Sequence, residues 1–243
     1  MAELFIKRKI LFVDDDSLLV ERLSGIVESN CGYRATGLLL SEIESVKEVI
    51  RELFTGTYHA LLLNIHMPVI SGLRLTPGIR RLGIKTPIIL HTGYSFLPMA
   101  VEAMRIGAAD LMIKPFPIED VFLSVEGVLA QAEQPTLGKS KVRRLPFPRG
   151  LNPDGITKEY YEDGRIMGEF SCRSRKLDGL SKVFRRTGTL LCEASFSAGV
   201  EDGSTIWYSY DGQMRIRDDF VKGKQLGRKI YDPEGRMCQD IRY

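Results

Sequence analysis

Gly155, Gly179, Gly203 and Gly227 stand 24, 24 and 24 residues apart, and a second ladder, Gly164, Gly188, Gly212 and Gly235, runs at 24, 24 and 23. Five residues after the first three glycines of the first ladder come Tyr160, Phe184 and Tyr208, with Tyr231 in fourth place once one residue is deleted just before it. Two residues after the second ladder come Ile166, Leu190, Met214 and Met237. Columns held in register over four copies oblige the chain to build one structural unit and stack it. Within a copy, Leu190, Cys192, Ala194 and Phe196 alternate with polar residues, as do Met214, Ile216 and Phe220, the period of a half-buried strand. Asp163-Gly164 and Asp211-Gly212 supply the positive φ of a hairpin turn. Each unit therefore reads as two strands and two turns, and residues 151–243 as an all-β domain, one elongated antiparallel sheet of about four repeats. Such a sheet leaves edges and a face that need a partner protein, a covering helix or self-association.

Residues 1–133 obey a different rule, with short apolar runs alternating with longer amphipathic ones. Strands are expected at Ile10–Val13, Ala35–Leu40, Tyr58–Leu63, Pro87–His91 and Leu111–Ile113, and helices at Leu18–Ser29, Glu42–Phe54, Leu73–Leu82, Phe96–Ile106 and Ile118–Ala132. Strict alternation demands crossover connections, hence a doubly wound, five-stranded parallel α/β sheet, and puts any site at the C-terminal ends of its strands. Asp14 to Asp16, Asn64, Thr92 and Lys114 all fall there.

Between the two blocks, residues 134–150 (QPTLGKSKVRRLPFPRG) lose all periodicity and read as an exposed linker. The net charge of +3 divides at these boundaries. Residues 1–133 carry 13 basic and 16 acidic side chains, residues 151–243 carry 16 and 15, and the linker holds Lys139, Lys141, Arg143, Arg144 and Arg149 with no acid. The basic excess thus belongs to a joint and not to either domain.

Other chemistry is limited. Cys31, Cys172, Cys192 and Cys238 show no paired spacing, and His59, His66 and His91 are scattered, so neither a disulfide scaffold nor a zinc site is expected. No uninterrupted run of strictly apolar side chains exceeds four residues, far short of the roughly 20 a membrane helix needs. The start, MAELFIKRKI, places its acid and apolar residues before its basic ones, the reverse of a signal peptide; the expectation is a cytoplasmic protein.

Carboxylates converging at strand ends, with a hydroxyl and an ammonium nearby, make a magnesium-dependent phosphoryl-acceptor site, because the metal wants hard oxygens and the acceptor must be a nucleophilic carboxylate. The motifs ILFVDDDS, LLLNIHMPVISG, PIILHTG and GAADLMIKPF, spread over residues 8–132, resemble the receiver domain of two-component response regulators. The resemblance implies a flavodoxin-like fold and assigns Asp14 and Asp15 to the metal-binding acid pair. It further assigns Thr92 to the switch hydroxyl and Lys114 to the phosphate-contacting lysine, with Pro115 in cis. The position of the phospho-accepting aspartate is held by Asn64, followed by Ile65, His66, Met67 and Pro68. An amide is neither a nucleophile nor an anionic ligand, so no acyl phosphate is expected at Asn64 and Mg²⁺ affinity should be weakened; no other cofactor is expected. Leu111 stands where many members carry an aromatic switch residue. The helices over Phe96–Ile106 and Val121–Ala132 carry few charges, and a helix apolar over more than a third of its circumference seeks a second partner. Phe96, Met99, Phe122 and Leu129 are the interaction candidates there, for docking of a signalling protein or for a homodimer.

Residues 154–243 resemble MORN-type repeats of the antitoxin-like bacterial kind, through Tyr160-Tyr161-Glu162-Asp163-Gly164 and Trp207-Tyr208-Ser209-Tyr210-Asp211-Gly212. This names an architecture and not a reaction. With no nucleophile–base pair in the block, no enzyme is expected, and Tyr161 and Trp207 become candidates for protein contact. Three readings remain open. The first is a non-catalytic bacterial adaptor or scaffold, with a phosphorylation-independent pseudo-receiver coupled to a protein-binding sheet. The second is an ordinary phosphorelay response regulator whose acceptor aspartate has been replaced by Asn64. The third is a binder of anionic membrane surfaces or nucleic acid through the linker, although no DNA-reading motif supports specific nucleic-acid recognition.

Overall fold

The computed structural model describes residues 8–29, 32–132 and 150–243, so the linker's basic residues, Lys139 to Arg149, lie outside the described residues. Two compact units emerge. One holds the chain up to Thr92 with Ile106–Met112, the other Gly93–Arg105 with the chain from Ile113 onward.

The first unit is built on β1 (Arg8–Asp14), α1 (Ser17–Ser29), β2 (Tyr33–Leu39), α2 (Ile43–Thr55), β3 (Ala60–Asn64), α3 (Gly72–Arg81) and β4 (Ile88–Thr92). Helix α4 (Leu97–Arg105) and strand β5 (Asp110–Ile113) follow in the chain. The sheet runs β2-β1-β3-β4-β5, and its β1–β2, β1–β3 and β3–β4 pairs are parallel. Every residue of β3, β4 and β5 is buried, which is why these strands read as continuous apolar runs and not as alternating ones. Chain order reverses between β1 and β3, the place where loops diverge and leave a crevice at the strand ends. Two local devices shape that crevice. Asp16 Oδ1 accepts from the backbone N–H groups of Leu18 and Leu19 at 3.0 and 3.1 Å, which caps α1 and fixes its start just beyond β1. At Gly72 a Cβ would lie 2.4 Å from the Asn64 carbonyl oxygen, so the glycine five residues after Met67 is required by close backbone approach.

The second unit contains α4, α5 (Ile118–Ala132) and eight strands: β6 (Asp154–Tyr160), β7 (Ile166–Arg173), β8 (Lys176–Phe184), β9 (Leu190–Ser197), β10 (Val200–Tyr208), β11 (Met214–Val221), β12 (Lys224–Tyr231) and β13 (Met237–Arg242). The strands form one antiparallel meander in chain order. Both glycine ladders now have causes. In the second, Gly164, Gly188, Gly212 and Gly235 all adopt φ between 78° and 88° and donate to the carbonyl three residues back, with a register shift in the flanking strand pair; this is the turn-plus-bulge that only glycine adopts cheaply. In the first, Gly155, Gly179 and Gly203 have φ of 96°, 97° and 115°. Gly227 differs, its missing Cβ making room for the Ile241 carbonyl at 2.8 Å, in the copy that is one residue short. Copies are also tied to each other: Tyr161 Oη donates to the Phe184 carbonyl and Arg185 Nη2 to the Tyr208 carbonyl at 2.8 Å, each 23 residues on.

One face of this sheet carries Phe170, Leu177, Val183, Cys192, Ala194, Phe196, Trp207, Ile216 and Phe220, all buried, and α4 packs against β7, β8 and β9. A covering helix of the same chain therefore packs on this face. Burial corrects two expected contact residues: Tyr161 and Trp207 are 3% and 2% exposed and serve the interior, not a free surface. The same face carries a costly group. Burial pushes the Glu201 carboxyl up to about 7; the Thr205 hydroxyl pulls it down and the charge of Asp218 adds to the rise. A carboxyl raised in the folded state contributes fully below its ordinary value of 4.5 and loses that contribution as pH climbs through about 7. Glu201→Gln is therefore expected to match the wild type near pH 4 and to exceed its stability by about 2 kcal/mol near pH 8. Denaturant unfolding at the two pH values checks this; parallel pH profiles for the two proteins would count against it.

Candidate functional site

Strand β1 ends in Asp14 and β3 in Asn64, and the β1–β3 register carries them side by side past Val13 and Leu63. Asp14 is 2% exposed and Asn64 6%. Asn64 Nδ2 donates to Asp14 Oδ1 and to Asp15 Oδ1, each at 2.9 Å, and to the His66 carbonyl at 3.0 Å, while Asn64 Oδ1 accepts from the His66 backbone N–H at 3.3 Å. Two carboxylates offer only acceptors, so the amide must turn its NH₂ toward them. Asp14 Oδ1 also accepts from the backbone N–H groups of Asp15 and Asp16 at 2.8 and 3.1 Å. Three N–H bonds on one oxygen hold a buried charge in place. Asp15 is less well served: burial, then the hydrogen bond with Asp14, pushes its carboxyl above the ordinary carboxylate range, and the Asn64 amide pulls the other way.

Two histidines complete the cluster. His91, on β4 beside Asn64 in register, places Nδ1 3.7 Å from Asp14 Oδ2, with both side chains nearly fully buried. His66, exposed, shares a 3.0 Å hydrogen bond between Nδ1 and the Oγ1 of fully buried Thr92. Asp14, Asp15, Asn64 and Thr92, all expected at strand ends, are brought together by the fold. The two histidines that join them are not expected from their scattered spacing, but His66 sits inside the Asn64 motif and His91 next to Thr92, an adjacency visible in the sequence. Asp16 is occupied as a helix cap. Lys114 directly follows β5 and is joined to Pro115 by a cis peptide bond. Leu111 is 1% exposed, an apolar core residue with no hydrogen bond to offer on moving. Among the helix candidates Phe96 is 49% exposed, Phe122 and Leu129 are half-buried, and Met99, at 9%, is interior.

The magnesium ion implied by the resemblance meets a donor set that does not fit it. A hard divalent cation needs oxygen lone pairs converging on one point, and here the Asn64 NH₂ directs hydrogens at one oxygen of each acid. Among the described residues no group of three or more His, Cys, Asp or Glu side chains is placed to hold a metal. The Asn64 amide, donating to both acids, occupies the space between them.

Residues 10–126 match the family of response regulator receiver domains. Over 136 residues the chain is 31% identical to the response regulator protein TodT of Pseudomonas putida, covering 56% of this chain and 57% of that protein. To TmoT of Ectopseudomonas mendocina it is 34% identical over 125 residues, covering 51% and 54%. The chain thus spans little more than half the length of these relatives. A solved Francisella response regulator receiver domain aligns with 24% identity and a TM-score of 0.47, covering 52% of this chain and 100% of that one. The motifs at the ends of β1, β3 and β4, the five-stranded order β2-β1-β3-β4-β5 and the matched span agree: residues 10–126 are a response regulator receiver domain.

Proposed function

We propose that the protein is a non-catalytic signalling adaptor in which a receiver domain that works without phosphorylation is coupled to a MORN-type repeat sheet. The reading rests chiefly on Asn64 donating to Asp14 and Asp15 at 2.9 Å. The residue in the acceptor position acts as a hydrogen-bond donor between the two acids, and its amide has no nucleophilic oxygen with which to form an acyl phosphate. Relatives named as response regulators support a role for the receiver in two-component signalling, where its counterparts would be proteins. The 24-residue repeats supply the MORN-type likeness and a scaffold for a protein partner. No described helix is long and apolar enough to cross a membrane, and a cytoplasmic setting is the one this reading requires.

An ordinary response regulator, with aspartate replaced by Asn64, is favoured by the retention of Asp14, Asp15, Thr92 and Lys114 in their motifs. Incubation of the full chain with a small-molecule phosphodonor and Mg²⁺, followed by intact mass measurement, tests the first reading. The unmodified mass is expected throughout, and a stoichiometric phosphate adduct would overturn it. An Asp codon at position 64 of the source gene would decide for the second reading.

A further inference from the structure

The aromatic column of the repeats lies on the face of the sheet opposite the one that α4 covers. Tyr160, Phe184, Tyr208 and Tyr231 are the last residues of β6, β8, β10 and β12. Val183, Trp207 and Ile230 precede three of them and belong to the buried face, and successive residues of a strand point to opposite faces. Each ring stands directly across from the first residue of the next strand, Ile166, Leu190, Met214 and Met237 in turn. The outcome is a continuous apolar stripe across all eight strands. It is open to solvent most of all at its ends, where Tyr160 is 48% and Met237 54% exposed. On the same face Ile156 and Leu180, each four residues before a ring of the stripe, are exposed as well.

Charge and period select the ligand of this stripe. The charges beside it pair within the sheet: Lys158 with Glu169 at 2.8 Å, Lys182 with Glu193 at 3.8 Å and Lys229 with Asp219 at 4.0 Å. They answer one another, and the stripe favours an uncharged, extended ligand over an anionic backbone or lipid surface, which needs a basic excess. Neighbouring strands lie about 4.8 Å apart, so rings on alternate strands recur about every 9.6 Å. A polyproline II segment advances about 3.1 Å per residue with three residues per turn, or about 9.3 Å per turn. One turn thus spans one repeat, and along the whole stripe the two periods drift apart by only about 1 Å. Proline rings pack on aromatic side chains, and the stiffness of the segment limits the entropy lost on docking. Its carbonyls make no internal hydrogen bonds, and the hydroxyls of Tyr160 and Tyr231 can donate to them.

We propose that this open face of the repeat sheet binds a proline-rich segment of a partner protein in the polyproline II conformation, one turn of ligand to each 24-residue repeat. Such binding rests on the sheet acting as a protein scaffold, as proposed above, but involves no phosphodonor, so the two can fail separately. The full chain is titrated into fluorescein-labelled dodecaproline, with a Gly-Ser peptide of equal length as control, and fluorescence anisotropy is read. Saturable binding is expected, roughly tenfold or more tighter than to the control and roughly tenfold tighter than to hexaproline, which spans half the stripe. Tyr160→Ala, at the exposed end, should weaken binding roughly threefold and Tyr208→Ala, at the centre, roughly tenfold, the range for loss of one ring contact. Tyr160→Phe, which keeps the ring, should lose less than Tyr160→Ala. If Tyr208→Ala does not fold, Tyr160→Ala carries the test, since that side chain is half exposed. Equal affinity for dodecaproline and the Gly-Ser peptide, or dodecaproline affinity untouched by Tyr160→Ala, would overturn the proposal.

Discussion

Arg215→Ala is expected to destabilise the second unit by about 3–5 kcal/mol, the cost of removing one partner from a buried pair. Asp120 is 5% exposed, and burial already pushes its carboxyl above the ordinary range although Arg215 pulls it down. Without the guanidinium the carboxylate loses three short N–H contacts, and its remaining charged neighbours, Asp211 and Glu119, are themselves acids. Its escape is to take up a proton. The loss should therefore be largest above neutral pH and shrink as the pH falls toward the raised value of Asp120, where the neutral acid is tolerated in the apolar site. Arg215→Lys keeps the charge but not the two-pronged geometry and should fall between the two proteins. Urea unfolding of the three proteins near pH 5 and near pH 8 checks the sign and the order. A loss under about 1 kcal/mol for the alanine variant would mean that Asp120 is not held by Arg215.

Asn64→Asp is expected to cost about 2 kcal/mol in the absence of divalent cations, because a bridging donor is replaced by a third carboxylate beside Asp14 and Asp15. The amide supplies two 2.9 Å bonds to those acids; an ionised aspartate supplies none. Repulsion among the three acids raises a pKa in the folded state, so the cost should fade as pH drops and one of them is protonated. A hard cation removes the same repulsion. The thermal midpoint of Asn64→Asp should accordingly rise on adding Mg²⁺ while that of the wild type moves little. Equal Mg²⁺ responses in the two proteins would show that the Asn64 amide is not what bridges the pair.

Much of this was readable from the chain. Every strand and helix expected over residues 10–132 appears within a few residues of its place, because apolar runs and amphipathic periods report local burial directly. Boundaries moved where chemistry at the ends decided them. Asp16 starts α1 one residue before the apolar pattern does. The third strand begins at Ala60 and not at Tyr58, whose hydroxyl donates to Glu52 of α2 at 2.7 Å. The second glycine ladder announced hairpins, since positive φ is a demand on single residues, whereas the first falls inside β6, β8, β10 and β12. Tyr161 and Trp207 lie inside, each one residue away from the aromatic column at Tyr160 and Tyr208; a repeat column does not say which side of the sheet is covered.

The sequence by itself determined the fold class of both blocks, the repeat length and the presence of an amide, Asn64, in the LLLNIHMP motif, all properties of composition, period and motif. Tertiary structure alone decided which groups meet. Asn64 bridges Asp14 and Asp15, His91 lies 3.7 Å from Asp14, and Asp120 finds Arg215 across 95 residues of chain. Long-range pairs depend on strand order, register and helix placement together, and no local period encodes their product. A buried charge acquires its partner only when the chain has closed around it.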